Sequence, residues 1–381
     1  MKYQLLSKEK NLKKILRECV KKERFTSIDI VESLHLTKPT VNESLDILFK
    51  NDFITKEDFT VGTVGRKAQI WKTTLYKKKA LAIDIDFNLV KIAIVDMSGN
   101  YSFYKEYNKT ISNDNFFDVI SFVVKDYRAN FKEAFEIKSL GISIPGNISF
   151  DRKNILYATN LGLKNINLNN LEEELNLEII LENEANSAVL GEFFLSKEAD
   201  KENYMLISIS NFGVGGGQIV DGKLLKGAHR LAGEIGHFTI IMDGEPCTCG
   251  NNGCFERYAS YDGLKNIMKK HKLDFDDINT LFESSDKKSE KVIKEYCKFL
   301  GRGIRSLLAI YDSNKIILSG KITDYWNRIY PYIQKEIFEN NNFYSKFNIM
   351  IIKSKFGDKS SLVGAGLINF FDLLYEKDIF S

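Results

Sequence analysis

The sequence predicts two joined units: a winged helix-turn-helix domain, followed by a larger α/β body of two lobes. Three observations predict this. The first fifth of the chain is basic and the rest mildly acidic, closely spaced amphipathic helices followed by a hairpin pattern fill the basic part, and strand-like and helix-like segments alternate after it.

Residues 1–79 hold 18 Lys and Arg against 10 Asp and Glu, and the remainder holds 36 against 41. A basic module on an acidic body suits nucleic acid; a solvated charged helix is the plainer reading of the same charge. The length of 381 residues is enough for two or three cores, and 44% hydrophobic with 28% charged residues excludes the disordered class. The start "MKYQLLSKEKNLKK" has no apolar stretch of the secretory kind. No run reaches the roughly 18 uninterrupted apolar residues of a membrane helix. A cytoplasmic protein without membrane contact is expected.

Leu12, Ile15, Leu16, Cys19 and Val20 follow helical spacing, and "TSIDIVESL" starts a second helix with Thr26 as N-cap and Asp29 three residues on. In "LTKPTVNESLDILFK" Thr37 caps a third helix, Pro39 sits in its first turn where a missing N–H costs little, and Val41, Leu45 and Leu48 form its buried stripe. A strand after "KNDFI", a hinge "TVGTVGRKAQ" and a strand "IWKTTLY" complete a wing. Thr37, Lys38, Thr40 and Asn42 then lie at the start of the third helix, where such modules meet the major groove, and Arg66 and Lys67 lie at the wing tip, where they would meet phosphates or a minor groove. A protein-binding winged helix is the alternative.

This domain is expected over residues 1–76 and a linker over 77–80. "ALAIDIDFNLVKIAIVDMSGN" reads as two strands around a tight turn, "SLGISIPG" as a strand into a turn, and "EIILENEANSAVLGEFF" as a strand into a helix. "MLISISNFGVGGGQIVDGKLL" adds two strands around glycines, "NKIILSGKI" and "NIMIIKS" late strands, and "LVGAGLINFFDLLY" a closing helix. One lobe is expected over 81–192 plus 362–381 and a second, holding any metal site, over 193–361.

Only 5 cysteines occur, yet Cys247, Cys249 and Cys254 fall together, and His237 precedes them by ten residues. In a reducing compartment such a cluster more often binds metal or does chemistry than forms disulfides. Three thiolates and an imidazole make the four ligands of a closed tetrahedral zinc site, and the glycines and asparagines of "CGNNGC" let the backbone turn sharply between them. Free thiols and a redox pair are the alternatives; Pro246 and the absence of another nearby cysteine speak against the pair.

"LAGEIGHFTI" followed by "CTCGNNGCFE" resembles the signature of the ROK family of repressors, open reading frames and sugar kinases. The likeness extends through "GISIPGN", "YATNLGL", "ENEANSAVLGE", "FGVGGGQIVDGKLLKGA" and "LVGAGL", covering nearly all of residues 80–372. It implies the two-lobed actin-like or hexokinase-like ATPase fold, structural Zn2+ on His237, Cys247, Cys249 and Cys254, and a sugar held between the lobes by Asn183, Glu184, Glu234, His237 and Glu256. Such residues suit a sugar, since carboxylates and an amide fix neighbouring hydroxyls that both donate and accept. His237 would meet zinc through one ring nitrogen and the sugar through the other.

Kinases of this family carry Asp-x-Gly-Gly-Thr after the first strand; here the turn is Asp84, Ile85, Asp86, Phe87, Asn88. An anion and a bulky ring replace the two glycines whose amides would meet phosphate. Glu184 also stands where those kinases have an Asp base. The reading is therefore a non-enzymatic, sugar-responsive transcriptional regulator, a repressor of carbohydrate-utilisation genes that binds operator DNA as a homodimer or homotetramer. "ENEAN" resembles the xylose-repressor branch and makes a xylose-like monosaccharide the expected effector. A sugar kinase with a fused regulatory domain and a zinc-responsive regulator are the alternatives.

Overall fold

In the computed structural model, which describes residues 2–57, 68–196, 203–210, 213–275, 277–339 and 343–376, the chain opens with helices α1 (Lys2–Lys22), α2 (Ser27–Leu34) and α3 (Lys38–Lys50). The Thr26 side chain accepts from the Asp29 amide while Asp29 accepts from the Thr26 amide at 2.6 Å, a reciprocal cap that starts α2. His35, in the left-handed region, ends α2, and Thr37 caps α3. Val41, Leu45 and Leu48 are buried as the stripe predicts. The wing contains one strand more than expected: β1 (Arg24–Thr26), β2 (Ile54–Lys56) and β3 (Ile70–Thr73) form a sheet in the order β1-β3-β2. Three residues are too short for an alternation signal, so β1 is visible only through its pairing.

The body contains two five-stranded sheets. The first uses β4 (Lys79–Asp86), β5 (Leu89–Asp96), β6 (Tyr101–Asn108), β7 (Ser139–Ile144) and, beyond a small three-stranded sheet of β8 (Asn147–Ile148), β9 (Asn154–Ala158) and β10 (Leu163–Asn167), also β11 (Glu178–Asn183). The second uses β12 (Tyr204–Ile209), β13 (Val214–Val220), β14 (Lys223–Leu224), β15 (Lys315–Ser319) and β16 (Met350–Lys353). Their orders, β11-β7-β4-β5-β6 and β14-β13-β12-β15-β16, are one plan used twice: three antiparallel strands in succession, the first of which also pairs with the inner of two parallel strands.

Helices α4 (Phe116–Asn130) and α5 (Asn169–Leu175) belong to the first sheet's side. The second is covered by α7 (Glu256–Ala259), α8 (Tyr261–Lys270), α9 (Ile278–Glu283), α10 (Lys287–Tyr311) and α11 (Trp326–Phe338). Between the sheets α6 (Glu184–Phe194) packs along α12 (Ser360–Phe371), which continues into a π-turn at Asp372–Glu376.

Two expected boundaries need correction. Lys79 and Ala80, assigned to a linker, already pair with Asp96 and Val95 as the start of β4, because the apolar run there is long enough to extend the sheet. The lobe boundary at 193 falls inside α6, whose apolar last turn belongs to the packed interior. The first domain is not tethered loosely: Leu12, Ile15, Leu16 and Cys19 of α1 share one buried cluster with Ala80, Val95, Leu362, Leu367 and Leu374. No described helix is long and apolar enough to cross a membrane.

Candidate functional site

On the first domain, Thr37, Lys38 and Asn42 are exposed and Thr40 is half-buried. Thr37 accepts the Thr40 amide, so its hydroxyl also serves the helix start. Lys56 lies over Phe49 at 4.6 Å and Trp71 at 5.3 Å, tying the wing sheet to α3. Arg66 and Lys67 lie outside the described residues.

Between the two sheets lies a cleft of about 510 Å³, the size of a small-molecule site. Asn183, Glu184, Glu234, His237 and Glu256 all line it. Asn183 ends β11 and caps α6: its Oδ1 accepts from the amides of Ala185 (2.9 Å) and Asn186 (3.3 Å), and its Nδ2 donates to Gly146 O (3.2 Å) and Glu184 Oε2 (2.8 Å). Both ends of the amide are thus engaged, and Asn183 fixes the direction of Glu184. Burial, with Glu234, Asp84 and Asp86 adding to it, pushes Glu184 up to about 8.

The other wall comes from the chain after β14. Glu234 is accessible, with a carboxylate oxygen 3.8 Å from His237 Nε2. His237 Nδ1 faces the other way, 3.6 Å from Cys247 Sγ. The ligand atoms of His237, Cys247, Cys249 and Cys254 lie within 4.8 Å of one another. The loop that brings them together is pinned by bridges between Thr239 and Cys254 and between Pro246 and Asn252, and by stacking of Phe238 on Phe255. Gly253 has a φ of +68°, and a Cβ there would come 1.7 Å from Ile241 O, so only glycine fits before Cys254. Three sulfurs and a nitrogen that converge without any chain movement fit the donor set and number of a tetrahedral soft-metal site. Glu256, first residue of α7 and nearly buried, places Oε1 3.1 Å from Cys247 Sγ. The same loop therefore sets Glu256 and His237 on the cleft.

The turn after β4, whose Asp84 and Asp86 act on Glu184 from outside the cleft lining, has used its own groups. Lys91, 8% exposed on β5, puts Nζ 3.2 Å from Asp84, which raises the lysine above its ordinary value. The Phe87 amide donates to Asp86 Oδ1 at 2.7 Å, and the Phe87 ring is half exposed. Gly215, Gly216 and Gly217 of "GVGGG" lie in β13, where they serve close packing: a Cβ on Gly217 would come 2.4 Å from Ala185 O. Asn211 and Phe212 lie outside the described residues.

The sequence reading missed a buried ion cluster under the cleft. Glu182 of β11, fully buried, accepts two bonds from Arg230 Nη2 (2.7 and 2.8 Å) and faces Arg152 Nε at 3.1 Å. Arg152 Nη1 in turn donates to both oxygens of Asp372 (2.6 and 2.8 Å). Burial alone would raise Glu182, but the two guanidinium groups hold it below the usual carboxylate range. Asn147 was missed as well; it lines the cleft and bonds to Tyr157 Oη (3.3 Å) and His229 O (3.2 Å). The one signal available was a charged residue inside an apolar run, as with Lys91 in "LVKIAIV" and Glu182 in "EIILEN".

Residues 80–369 match the model of the ROK family. The chain is 26% identical over 387 residues to a xylose repressor of Bacillus subtilis (strain 168), covering 97% of this chain and 98% of that one. It is 33% identical over 218 residues to a glucokinase of Halalkalibacterium halodurans, covering 52% of this chain and 66% of the kinase. A crystal structure of a ROK family transcriptional regulator, a homologue of the Escherichia coli MLC protein, superposes with a TM-score of 0.81 at 22% identity over 97% of each chain. That likeness carries the two-lobed hexokinase-like fold together with the domain in front of it. With its whole body matched, the chain belongs to the ROK family.

Proposed function

We propose that this chain is a sugar-responsive, DNA-binding transcriptional repressor whose effector is a monosaccharide bound in the cleft. The observation that carries the reading is a joint one. A helix-turn-helix domain shares a buried core with a body whose cleft gathers Glu184, Glu234, His237 and Glu256, while the turn a nucleotide would need is closed on itself. The relatives in the full-length range include a xylose repressor, which favours a xylose-like effector.

In this reading Glu184, Glu234 and Glu256 orient sugar hydroxyls and His237 offers Nε2, with Asn183 acting through Glu184. His237 Nδ1, Cys247, Cys249 and Cys254 would hold zinc, which supplies a fixed positive centre that keeps the imidazole in one tautomer and orientation. Sugar touching both walls favours one closure of the cleft and shifts the population of operator-binding states. Lys38, Thr40 and Asn42 face the major groove, with Thr37 at the helix start, and Arg66 and Lys67 reach phosphate or the minor groove. A two-fold oligomer presents two such helices to a pseudo-palindrome.

The kinase reading draws on the glucokinase relative. Against it stand the Asp86 carboxylate on the Phe87 amide and the Lys91 ammonium on Asp84, which occupy the donors and the acid that a magnesium nucleotide would use.

The test is the affinity of the full chain for DNA flanking its own gene, with and without D-xylose and D-glucose. Coupling of about 1–3 kcal/mol changes that affinity by up to roughly a hundredfold. Glu256→Ala and His237→Ala are expected to keep DNA binding and lose the sugar effect. A normal effect in both variants would remove the proposed site, and ATP turnover in a coupled ADP assay would return the kinase reading.

A further inference from the structure

The ion cluster beneath the cleft connects three parts of the molecule that are far apart in sequence. Arg230 lies on the segment that leads from β14 to Glu234 and His237, so it moves with one wall. Glu182 directly precedes Asn183 and Glu184, so it moves with the other; its Oε1 also accepts from the Asn183 amide at 3.0 Å and Asn186 Nδ2 at 3.1 Å. The bidentate contact between Arg230 and Glu182 is therefore a direct ionic tie between the two walls.

From there the cluster runs away from the cleft. Arg152 joins Glu182 to Asp372, the first residue of the π-turn. Three residues on, the Tyr375 ring lies 4.8 Å beneath the Arg17 guanidinium of α1, and Leu373, Leu374 and Tyr375 pack in the core shared with the helix-turn-helix domain. Glu182, Asp372, Arg152 and Arg230 are 0%, 4%, 5% and 8% exposed, so water does little to solvate their charges. Such a cluster does not deform gradually, because a guanidinium drawn off its carboxylate is left buried and uncompensated. Arg152 and Arg230 also have φ of 59° and 55°, a left-handed backbone that a side chain adopts only where surrounding contacts hold it.

We infer that the Arg152–Glu182–Arg230–Asp372 cluster is the element that carries the state of the cleft to the DNA-binding domain. A ligand that alters the separation of the walls acts on the Arg230–Glu182 tie, and the rearrangement reaches α1 through Arg152, Asp372 and the π-turn. Asp372 and Arg17 touch neither the cleft nor the DNA-facing turn of α3; they are positioning residues for the response alone. The inference rests on the sugar-regulator reading above.

The experiment uses the full chain and measures two quantities separately: D-xylose affinity by calorimetry, and the ratio of DNA affinities with and without saturating D-xylose. In Asp372→Asn, and in Arg17→Ala, which leaves the buried cluster intact and carries the test should the first variant fail to fold, D-xylose affinity should stay within about threefold of the parent. The ratio should fall from the parent value to about threefold or less. A parent-like ratio in the folded variants overturns the inference and leaves the regulator reading standing. If D-glucose and not D-xylose moves the parent's DNA affinity, the same two quantities are measured with D-glucose; a parent chain that responds to neither sugar removes that reading, and the inference falls with it.

Discussion

At one end of the cleft, His237, Cys247, Cys249 and Cys254 direct soft donor atoms at one another across less than 4.8 Å, an arrangement that calls for a shared positive centre. Where β4 turns into β5, outside the cleft lining, Asp84 is met by Lys91, and Asp86 by the Phe87 amide. The first, the open end of the comparison, gathers donor atoms on one another; the second, the closed end, pairs its charges among its own groups. The first lies in the segment that follows β14 and the second in the tight turn between β4 and β5, so the two differ in backbone as well as in side chains.

The largest effect should come from the open end. Cys254→Ser removes a buried ligand, and because metal binding to such a cluster is linked to folding, the body's thermal midpoint should fall by more than it does in Glu182→Gln or Lys91→Met. Elemental analysis should find about one zinc per parent chain and much less in the variant. Equal zinc and equal midpoints in Cys254→Ser and the parent would mean that the four residues do not act as a metal site, and the contrast between the two ends would lose one side.

Next comes the ion cluster that ties the two walls of the cleft. Glu182→Gln leaves Arg152 and Arg230 without their shared carboxylate, and breaking a buried pair in this way costs about 3–5 kcal/mol. Urea unfolding of the body should report it, with the midpoint lowered and the slope unchanged. A cost below about 1 kcal/mol would show that the cluster is reached by water and is not the rigid tie its geometry describes.

The closed end gives a smaller effect. Lys91→Met should cost about 1–3 kcal/mol, because it leaves the nearly buried Asp84 carboxylate without its ammonium. ATP with magnesium should still fail to raise the variant's melting midpoint, since Asp86 continues to hold the Phe87 amide. A clear shift with nucleotide would show that Lys91 alone closes that end.

The parts of the molecule that were legible in the sequence share a physical character. Capped helices with a stripe such as Val41, Leu45 and Leu48, and apolar strands such as β4 and β5, declare themselves through local pattern. So did the cysteine loop, since its ligands lie within one short stretch. The repeated sheet plan was not legible, because topology constrains the order of strands and places few demands on their identity. Nor was the ion cluster: Arg152, Glu182, Arg230 and Asp372 are joined only by the meeting of the turn between β8 and β9, strand β11, the segment after β14 and the turn that follows α12. The role of Asn183 was half legible. Its place beside Glu184 was clear from the motif, but its use as a helix cap became visible only when the amides of Ala185 and Asn186 were seen to point at it.

The smallest effect, and the finest test of the contrast, is the pH dependence set by Glu184, which feels carboxylates from both sides of the comparison: Glu234 in the cleft beside His237, and Asp84 and Asp86 of β4. Its folded value of about 8 lies above the ordinary value of roughly 4.3 in an unfolded chain. Between those two values the folded protein holds more of this proton than the unfolded one, so the contribution of Glu184 to stability should fall as pH rises through that window and be level outside it. Because the side chain is partly open to the cleft, solvent will soften the slope. In Glu184→Gln the titration is gone, and the difference in unfolding midpoint between variant and parent should grow in the variant's favour from pH 5 toward about pH 8. Adding Asp86→Asn to the parent should shrink the same slope by relieving one of the neighbours that raise Glu184. A slope that responds to Asp86→Asn would establish that the closed end still acts electrostatically on the residue facing the open one; a slope indifferent to it would remove Asp86 from the groups that raise Glu184 and leave burial, Glu234 and Asp84.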